Sequence, residues 1–282
     1  MIVGSARERR LWNIATYAIA GFFGLTALGP IVWLVLTSLK TEADIVTAQG
    51  VVYWPSTLTL ANYQELWDQT DFPTLFRNSL SATTITVVIC LVVGTLSAYA
   101  LSREAFRGRQ PLLMGLLAIR MFPAVMQIIP LFIIMKAIGL LDTKLGLALA
   151  YASFLLPMFI WLMKGFFDDL PGELEEAARI DGCSRLGAMW RIALPVARNG
   201  LLATTVLIAI SAWNEFLFAL MLTTGADTRT WPVGLQLMIG DFQLPWGLLA
   251  AGGVISIIPV VVLFAFVQGS MVRGLTEGAT KG

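Results

Sequence analysis

The sequence predicts an all-α, polytopic membrane protein with six transmembrane helices. Three observations carry that reading. The 282 residues are 57% hydrophobic and only 13% charged, whereas a soluble domain carries about a quarter charged residues. Six separate stretches each hold the roughly 20 apolar residues that cross a hydrocarbon core of about 30 Å as helix. Lysine and arginine are distributed unevenly over the segments between them, which gives the chain an orientation.

The spans are placed at about residues 11–39, 80–101, 111–135, 145–165, 199–222 and 247–271. Leu11–Leu39, Leu80–Leu101, Leu145–Met163 and Phe242–Val272 contain no Asp, Glu, Lys or Arg. Gln110–Met135 holds Arg120 as its single charge, and Asn199–Leu222 holds Glu215. A soluble helix is seldom apolar on every face over such a length. The first run is longer than the roughly 7–15 apolar residues of a signal peptide, so it is read as a retained span. No clear small-residue cleavage site precedes Lys40.

With the N-terminus inside, thirteen of the nineteen basic residues fall in cytoplasmic segments. Five fall outside (Lys40, Arg77, Lys136, Lys144, Arg229), and Arg120 lies in a span. Both termini are therefore expected in the cytoplasm. Residues 40–79 and 223–246 become outer loops and 168–198 a cytoplasmic loop, all within one transmembrane domain over 1–282.

Composition also excludes. A formal net charge of +1 gives no basic excess for a nucleic-acid partner. The absence of histidine removes the usual metal ligand and any Ser-His-Asp or Cys-His catalysis. None of the five lysines follows a glycine, so there is no P-loop for ATP. Asp168 and Asp169 read as caps of the helix after them rather than as a metal pair. Cys90 and Cys183 read as small, buried or partly buried side chains. Catalytic and metal-ligating residues are both predicted to be absent.

Pro30, Pro123, Pro130, Pro157 and Pro259 fall inside spans, where proline bends a helix. Pro123 and Pro130 share a span with Arg120 and make the best case for a helix shaped around a pathway. Buried charge in a membrane marks function by default. Arg120 lies about nine residues, roughly 14 Å, into its span, and Glu215 about sixteen residues, roughly 24 Å, into its own. Arg120, Pro123, Gln127, Asn214 and Glu215 are the pathway candidates. Glu215 suits either an anchor between helices or part of an outer gate, and Asn214 either a hydroxyl of a transported solute or an interhelical hydrogen bond.

Two segments between spans have structure of their own. In the first outer loop, Asn62–Trp67 reads as a short amphipathic helix, and Tyr53, Trp54 and Trp67 suit either the headgroup belt or a docking surface. In 168–198, Pro171 can open a helix. Glu173, Glu175 and Glu176 suit its first turns, and Gly182 offers a stop. A second helix, Arg185–Ala193, is expected to end before Pro195. Leu174, Ile180, Leu186, Met189 and Trp190 are expected to be exposed on this pair and to need a partner surface.

Glu176-Ala177-Ala178, three residues, Gly182, nine residues, Ile192, one residue, Leu194-Pro195 resembles the EAA loop of inner-membrane permease subunits of binding-protein-dependent ABC importers. Trp213-Asn214-Glu215-Phe216 resembles a segment of the carbohydrate permeases, of the maltose, trehalose and α-glucoside type. Asn62-Tyr63, Met121-Phe122-Pro123 and the closing Gly274–Gly282 are similar to them as well. The resemblance implies an importer permease fold in a bacterial inner (plasma) membrane, and ATP-driven sugar import by alternating access. It implies a second permease, most simply a different chain, and a dimer of ATP-binding subunits carrying ATP-Mg. It also implies an extracytoplasmic sugar-binding protein. This chain would bind no cofactor. By matching position, Glu176, Ala177, Ala178, Asp181, Gly182, Leu194 and Pro195 would contact the ATPase. The 223–246 loop, with Trp231, Pro232, Gln236, Phe242 and Trp246, would reach the binding protein. Two other classes remain open on the residues alone. A stand-alone secondary transporter would need inverted repeats and a midplane ion site, and an intramembrane enzyme would need a polar catalytic cluster.

Overall fold

The computed structural model describes residues 6–45, 50–239 and 244–279. Phe242, Lys281 and the end of the closing motif lie outside the described residues. Among those described, every regular element is helical. Besides the single helical turn Glu42–Ile45, the helices are α1 (Ala6–Ser38), α2 (Ala61–Asp68), α3 (Phe72–Arg103), α4 (Arg109–Met121), α5 (Ala124–Ala137) and α6 (Lys144–Asp168). They continue with α7 (Glu173–Ile180), α8 (Arg185–Val196), α9 (Arg198–Trp213), α10 (Leu217–Leu222), α11 (Trp231–Leu237) and α12 (Trp246–Ala279).

Four described helices are long and apolar enough to cross a membrane: Arg10–Ser38, Phe72–Arg103, Lys144–Asp168 and Trp246–Gly269. The pairs α4–α5 and α8–α9 pass the same test jointly, bent by 105° and 80°. Counting each bent pair once gives six.

The chain divides into two compact units, 1–70 with 238–258 and 71–237 with 259–282. In the first, the segment after α1 folds back onto its end. Asn62 is buried, and its Nδ2 donates to the carbonyls of Ser38 (2.8 Å) and Lys40 (2.9 Å), acceptors that α1 leaves open where it stops. Ser38 Oγ shares a hydrogen bond with Tyr63 Oη at 2.7 Å. Lys40 lies over the Trp33 ring and donates to the Val52 carbonyl at 2.6 Å. A Cβ on Gly247 would collide with the Asn62 amide, so α12 can approach this cap only as glycine.

In the second unit α6 is the core strut. Ala148, Ala150, Leu155, Phe159, Met163 and Phe167 are buried along it, and α3 and α9 pack against it. Small residues permit that approach, as in other membrane helix pairs. The Phe159 ring occupies the place where a Cβ on Gly94 would stand, and the Phe166 ring does the same at Gly200. Gly94 closes a π turn, Cys90–Gly94, which re-aims α3 across α6.

Several boundaries differ from expectation. The helix that carries the second span begins at Phe72, ahead of residue 80, since one exposed Arg77 does not stop a helix whose Phe72, Leu75 and Asn78 are buried. The third span is two helices. Pro123 forces Phe122 into the extended region (φ −77°, ψ 132°) and is itself extended (φ −56°, ψ 136°). Two consecutive extended residues turn the chain. Pro30, Pro130, Pro157 and Pro259 all lie within continuous helices. The fifth span breaks at Asn214–Phe216. The second helix of 168–198 does not end before Pro195. A π turn at Met189–Ala193, with Leu194 N–H reaching back to the Met189 carbonyl, lets the helix run on to Val196.

Gly94→Val should lower the detergent-solubilised melting temperature by about 2–5 °C, because overpacking against a buried ring costs about 1–3 kcal/mol. Gly165→Ala, on an exposed helix face with nothing within 4 Å of the added methyl, should leave it unchanged. Equal melting temperatures for Gly94→Val and the parent would refute the packing account.

Candidate functional sites: the 168–198 segment and the broken spans

Helix α7 carries the first half of the EAA-like motif. Its inner face is Glu175 and Ala178, both buried, while Glu176, Ala177, Asp181 and Gly182 are exposed. Glu175 is held from α3. Arg103 Nε donates to Glu175 Oε1 at 2.7 Å, Arg103 Nη2 donates to the Leu170 carbonyl at 3.1 Å, and Tyr99 Oη donates to Glu175 Oε2. The helix ends in a Schellman turn. Cys183 N–H reaches the Ala178 carbonyl (2.9 Å) and Gly182 N–H the Arg179 carbonyl (3.1 Å), with Gly182 left-handed at φ +90°. Ser184 Oγ then accepts from Gly187 N–H at 3.1 Å and starts α8.

The exposed apolar side chains are those expected with one correction. Leu174, Ile180 (86% exposed), Leu186 and Trp190 (59%) face outward, whereas Met189 is fully buried in the core. Leu194 is half-buried and Pro195 exposed, so the far end of the motif also reaches the surface. Asp168 and Asp169 do not cap α7. Asp168 is the last residue of α6, its carboxylate accepts from Ser102 Oγ (2.6 Å) and pairs with Lys164, and the cap position of α7 is Gly172.

The pathway candidates stand at or beside the two breaks, and Gln127, Arg120, Asn214 and Glu215 each bond backbone groups there or on the neighbouring α6. Gln127 Nε2 donates back across the α4–α5 bend to the Ile119 carbonyl at 3.3 Å. Arg120 Nη1 donates to the Phe154 carbonyl at 3.2 Å, in the turn before Pro157, and its guanidinium lies 4.3 Å from the Phe154 ring centroid. Asn214 Nδ2 donates to the Ile210 carbonyl at 2.9 Å, closing the end of α9. Glu215 accepts from Phe218 N–H (3.0 Å) and Ala219 N–H (3.2 Å), opening α10. Arg120 and Glu215 form no ion pair. They are connected through rings: Phe154 meets Phe218 edge-to-face at 6.0 Å, and Phe218 N–H is the group that Glu215 binds.

The start of the 223–246 segment is pinned. Asp142 adopts φ 57°, and its carboxylate accepts from Thr224 N–H (2.8 Å), Thr224 Oγ1 (2.8 Å), Gly225 N–H (3.4 Å) and Thr228 Oγ1. Asn78 Nδ2 donates to the carbonyls of Ala226 and Arg229, both at 2.9 Å, and Trp231 N–H donates to Ser79 Oγ at 2.8 Å. Burial raises the Asp142 pKa, but the bonds from Thr228, Thr224 and Gly225 outweigh it and hold the carboxyl at about 2.

Residues 90–276 match the family model described as binding-protein-dependent transport system inner membrane component. The chain belongs to this family. The permease is 37% identical over 279 residues to a trehalose transport system permease protein (SugB) of Mycobacterium tuberculosis, covering 98% of this chain and 99% of that one. It is 36% identical over 258 residues to a sulfoquinovosyl glycerol transport system permease protein (SmoH) of Agrobacterium fabrum, covering 92% and 90%. Among solved structures, it matches a chain of a bacterial ABC transporter involved in import of the acidic polysaccharide alginate. There the TM-score is 0.80, the identity 29%, and the coverage 94% of this chain and 98% of that one. The permease is thus a multi-pass, all-α inner-membrane transport component.

Sequence reasoning missed Glu175, Tyr99, Arg103 and Asp142. In the permease Glu175 differs from Glu173 and Glu176 only in facing inward. The available signal was its helical spacing to Ala178, three residues on. Asp142 looks like any turn acid until the chain 80 residues later is brought to it.

Asp142→Ala should cut amide-exchange protection of Thr224 and Gly225 at least tenfold. With a folded-state pKa below its ordinary value, Asp142 contributes fully above about pH 4, and its contribution is lost as pH falls through about 2. The parent should therefore keep that protection from pH 8 down to 4, after correction for intrinsic exchange. Protection unaltered by Asp142→Ala would refute the anchor.

Proposed function

We propose that this chain is one permease half of an ATP-driven carbohydrate importer, with both termini cytoplasmic and the 168–198 segment facing an ATPase dimer. The observation that carries this is the presentation of the EAA-like motif. Glu176, Ala177, Asp181 and Gly182 are exposed on a helix whose other face is fastened to the protein, beside exposed Leu174, Ile180, Leu186 and Trp190. Small residues admit the helix to a groove, the apolar ones fill it, and Glu176 supplies a polar anchor. Ala178, being buried, seats the helix rather than touching the partner, and Leu194 and Pro195 form the outer edge of the same surface.

ATP-Mg belongs on the partner subunits. A second permease, taken to be a different chain, completes the pathway, and a soluble sugar-binding protein delivers substrate to the end of the bundle bearing the anchored 223–237 segment. The carbohydrate class rests on the trehalose, sulfoquinovosyl glycerol and alginate named for the similar proteins, together with the Trp213–Phe216 segment. Arg120, Pro123, Gln127, Asn214 and Glu215 then shape two bent spans beside the pathway. The cycle is alternating access: the ATPases close, α7 is displaced, and the spans rearrange.

The test is co-purification. Extraction of the C-terminally tagged chain from cells expressing its genetic neighbours should recover an ATPase and a second permease in stoichiometric amounts. A chain that purifies alone and still transports would overturn the subunit reading. Gly182→Val should insert normally yet lower uptake at least tenfold, because a β-branched residue at φ +90° distorts the end of α7. Normal uptake would remove Gly182 from the coupling surface.

A further inference from the structure

Four residues at the end of α3, the last of them Glu104 just past its final turn, hold the 168–185 segment at four points. Ser102 binds Asp168 (2.6 Å), Arg103 binds the Leu170 carbonyl (3.1 Å) and Glu175 (2.7 Å), Tyr99 binds Glu175, and Glu104 pairs with Arg185. Yet α3 is not a covalent neighbour of that segment, which the chain connects to α6 on one side and to α9 on the other. The contacts are also unequal. The Glu104–Arg185 pair has side chains 42% and 59% exposed, and such pairs hold little. Glu175 is 7% exposed as a residue, and both of its carboxylate oxygens are engaged, one by a cation and one by a phenol. Charge-assisted bonds away from water are the strong ones. Releasing a partner there leaves a buried charge unmatched.

We propose that Glu175 is the positioning residue that ties α7 to α3, so that displacement of α7 is transmitted to the Phe72–Arg103 span through Tyr99 and Arg103. The neighbouring acids then divide the work: Glu176 faces the partner and Glu175 faces inward, one helical step of about 100° apart. The proposal rests on the importer reading above and adds which span the coupling helix moves. A rigid connection of this kind is what lets two distant sites bias one two-state element.

The test uses the assembled complex of this chain with its co-purified ATPase and second permease. Single cysteines at Val88 and Val92, exposed positions of α3, are placed in a Cys183→Ser background. Each is labelled with a membrane-permeant maleimide, with and without vanadate-trapped ATP. In the otherwise native chain, labelling at one or both should change at least threefold on trapping. With Glu175→Gln the ATPase should still trap nucleotide, but the labelling change should disappear. The reversed pair Arg103→Glu with Glu175→Arg should restore it, which a loss of general integrity would not. Tyr99→Phe, a milder change, should reduce the labelling change by at least half, and Glu104→Gln should leave it intact.

A full nucleotide-dependent change in both Glu175→Gln and Tyr99→Phe overturns the proposal, as does a native complex that traps nucleotide with no change in α3. If Glu175→Gln fails to assemble, Tyr99→Phe and Arg103→Lys decide between the same two outcomes. A native chain that recovers no ATPase overturns the importer reading itself, which is a different result from trapping without coupling.

Discussion

A backbone polar group freed inside a bilayer has no water to turn to, and that constraint decides where this chain spends its few intramembrane polar side chains. Its apolar helices are interrupted at Phe122–Pro123 and at Asn214–Phe216. Each break exposes carbonyls at the end of one helix and amides at the start of the next. The residues that meet them are Gln127, Asn214 and Glu215. Arg120 meets a carbonyl of the neighbouring α6 in the turn before its own proline. Arg120 and Glu215 do not pair; each is met by backbone instead, Arg120 by a mid-helix carbonyl of α6 and Glu215 by the first amides of α10. An unmatched group in hydrocarbon costs several kcal/mol, so these caps are what make sharp bends tolerable at that depth.

The same economy appears at the 168–198 segment. Helix α7 has only eight residues, too few to be stable alone. It persists because Glu175 and Ala178 fix one face, Gly182 closes its end with two backbone bonds, and Ser184 starts the next helix. Fixing one face by a buried ion pair and a phenol leaves the other face free to stay apolar without collapsing inward. Met189, one turn into α8, fills the core beneath, which is why it does not join the exposed apolar set of Leu174, Ile180, Leu186 and Trp190.

Much of the architecture was legible in sequence because hydrocarbon thickness imposes length and burial imposes composition. Leu11–Leu39 and Leu145–Met163 could hardly be anything else, and the helices Ala61–Asp68 and Glu173–Ile180 fall where periodicity and charge placed them. Limits of helices were less legible. Arg77 suggested a boundary that one outward-facing charge cannot impose, and Pro123 broke a helix where Pro30, Pro157 and Pro259 did not. The difference lies in the residue before the proline, which α1, α6 and α12 keep helical through neighbouring turns and which Phe122 does not. Least legible were side chains whose role depends on a remote partner: Glu175 on α3, Asp142 on the 224–228 turn, Asp168 on Ser102. Nothing local separates Asp168 from a helix cap. Only the arrival of α3 beside α6 does.

These elements show where a chain with so few polar residues is held rigid. Rigidity sits where polar atoms are matched across elements: Asn62 on the end of α1, Asn78 and Asp142 on the 224–231 segment, Arg103 on Glu175. The two bends are different in kind. Gln127, Asn214 and Glu215 cap locally, within or just across each break, while Arg120 reaches α6; α10 packs directly on α5, and Phe154 of α6 meets Phe218 edge-to-face. Aromatic contact is worth about 0.5–1.5 kcal/mol beyond burial and tolerates sliding, whereas a buried charge-assisted bond does not.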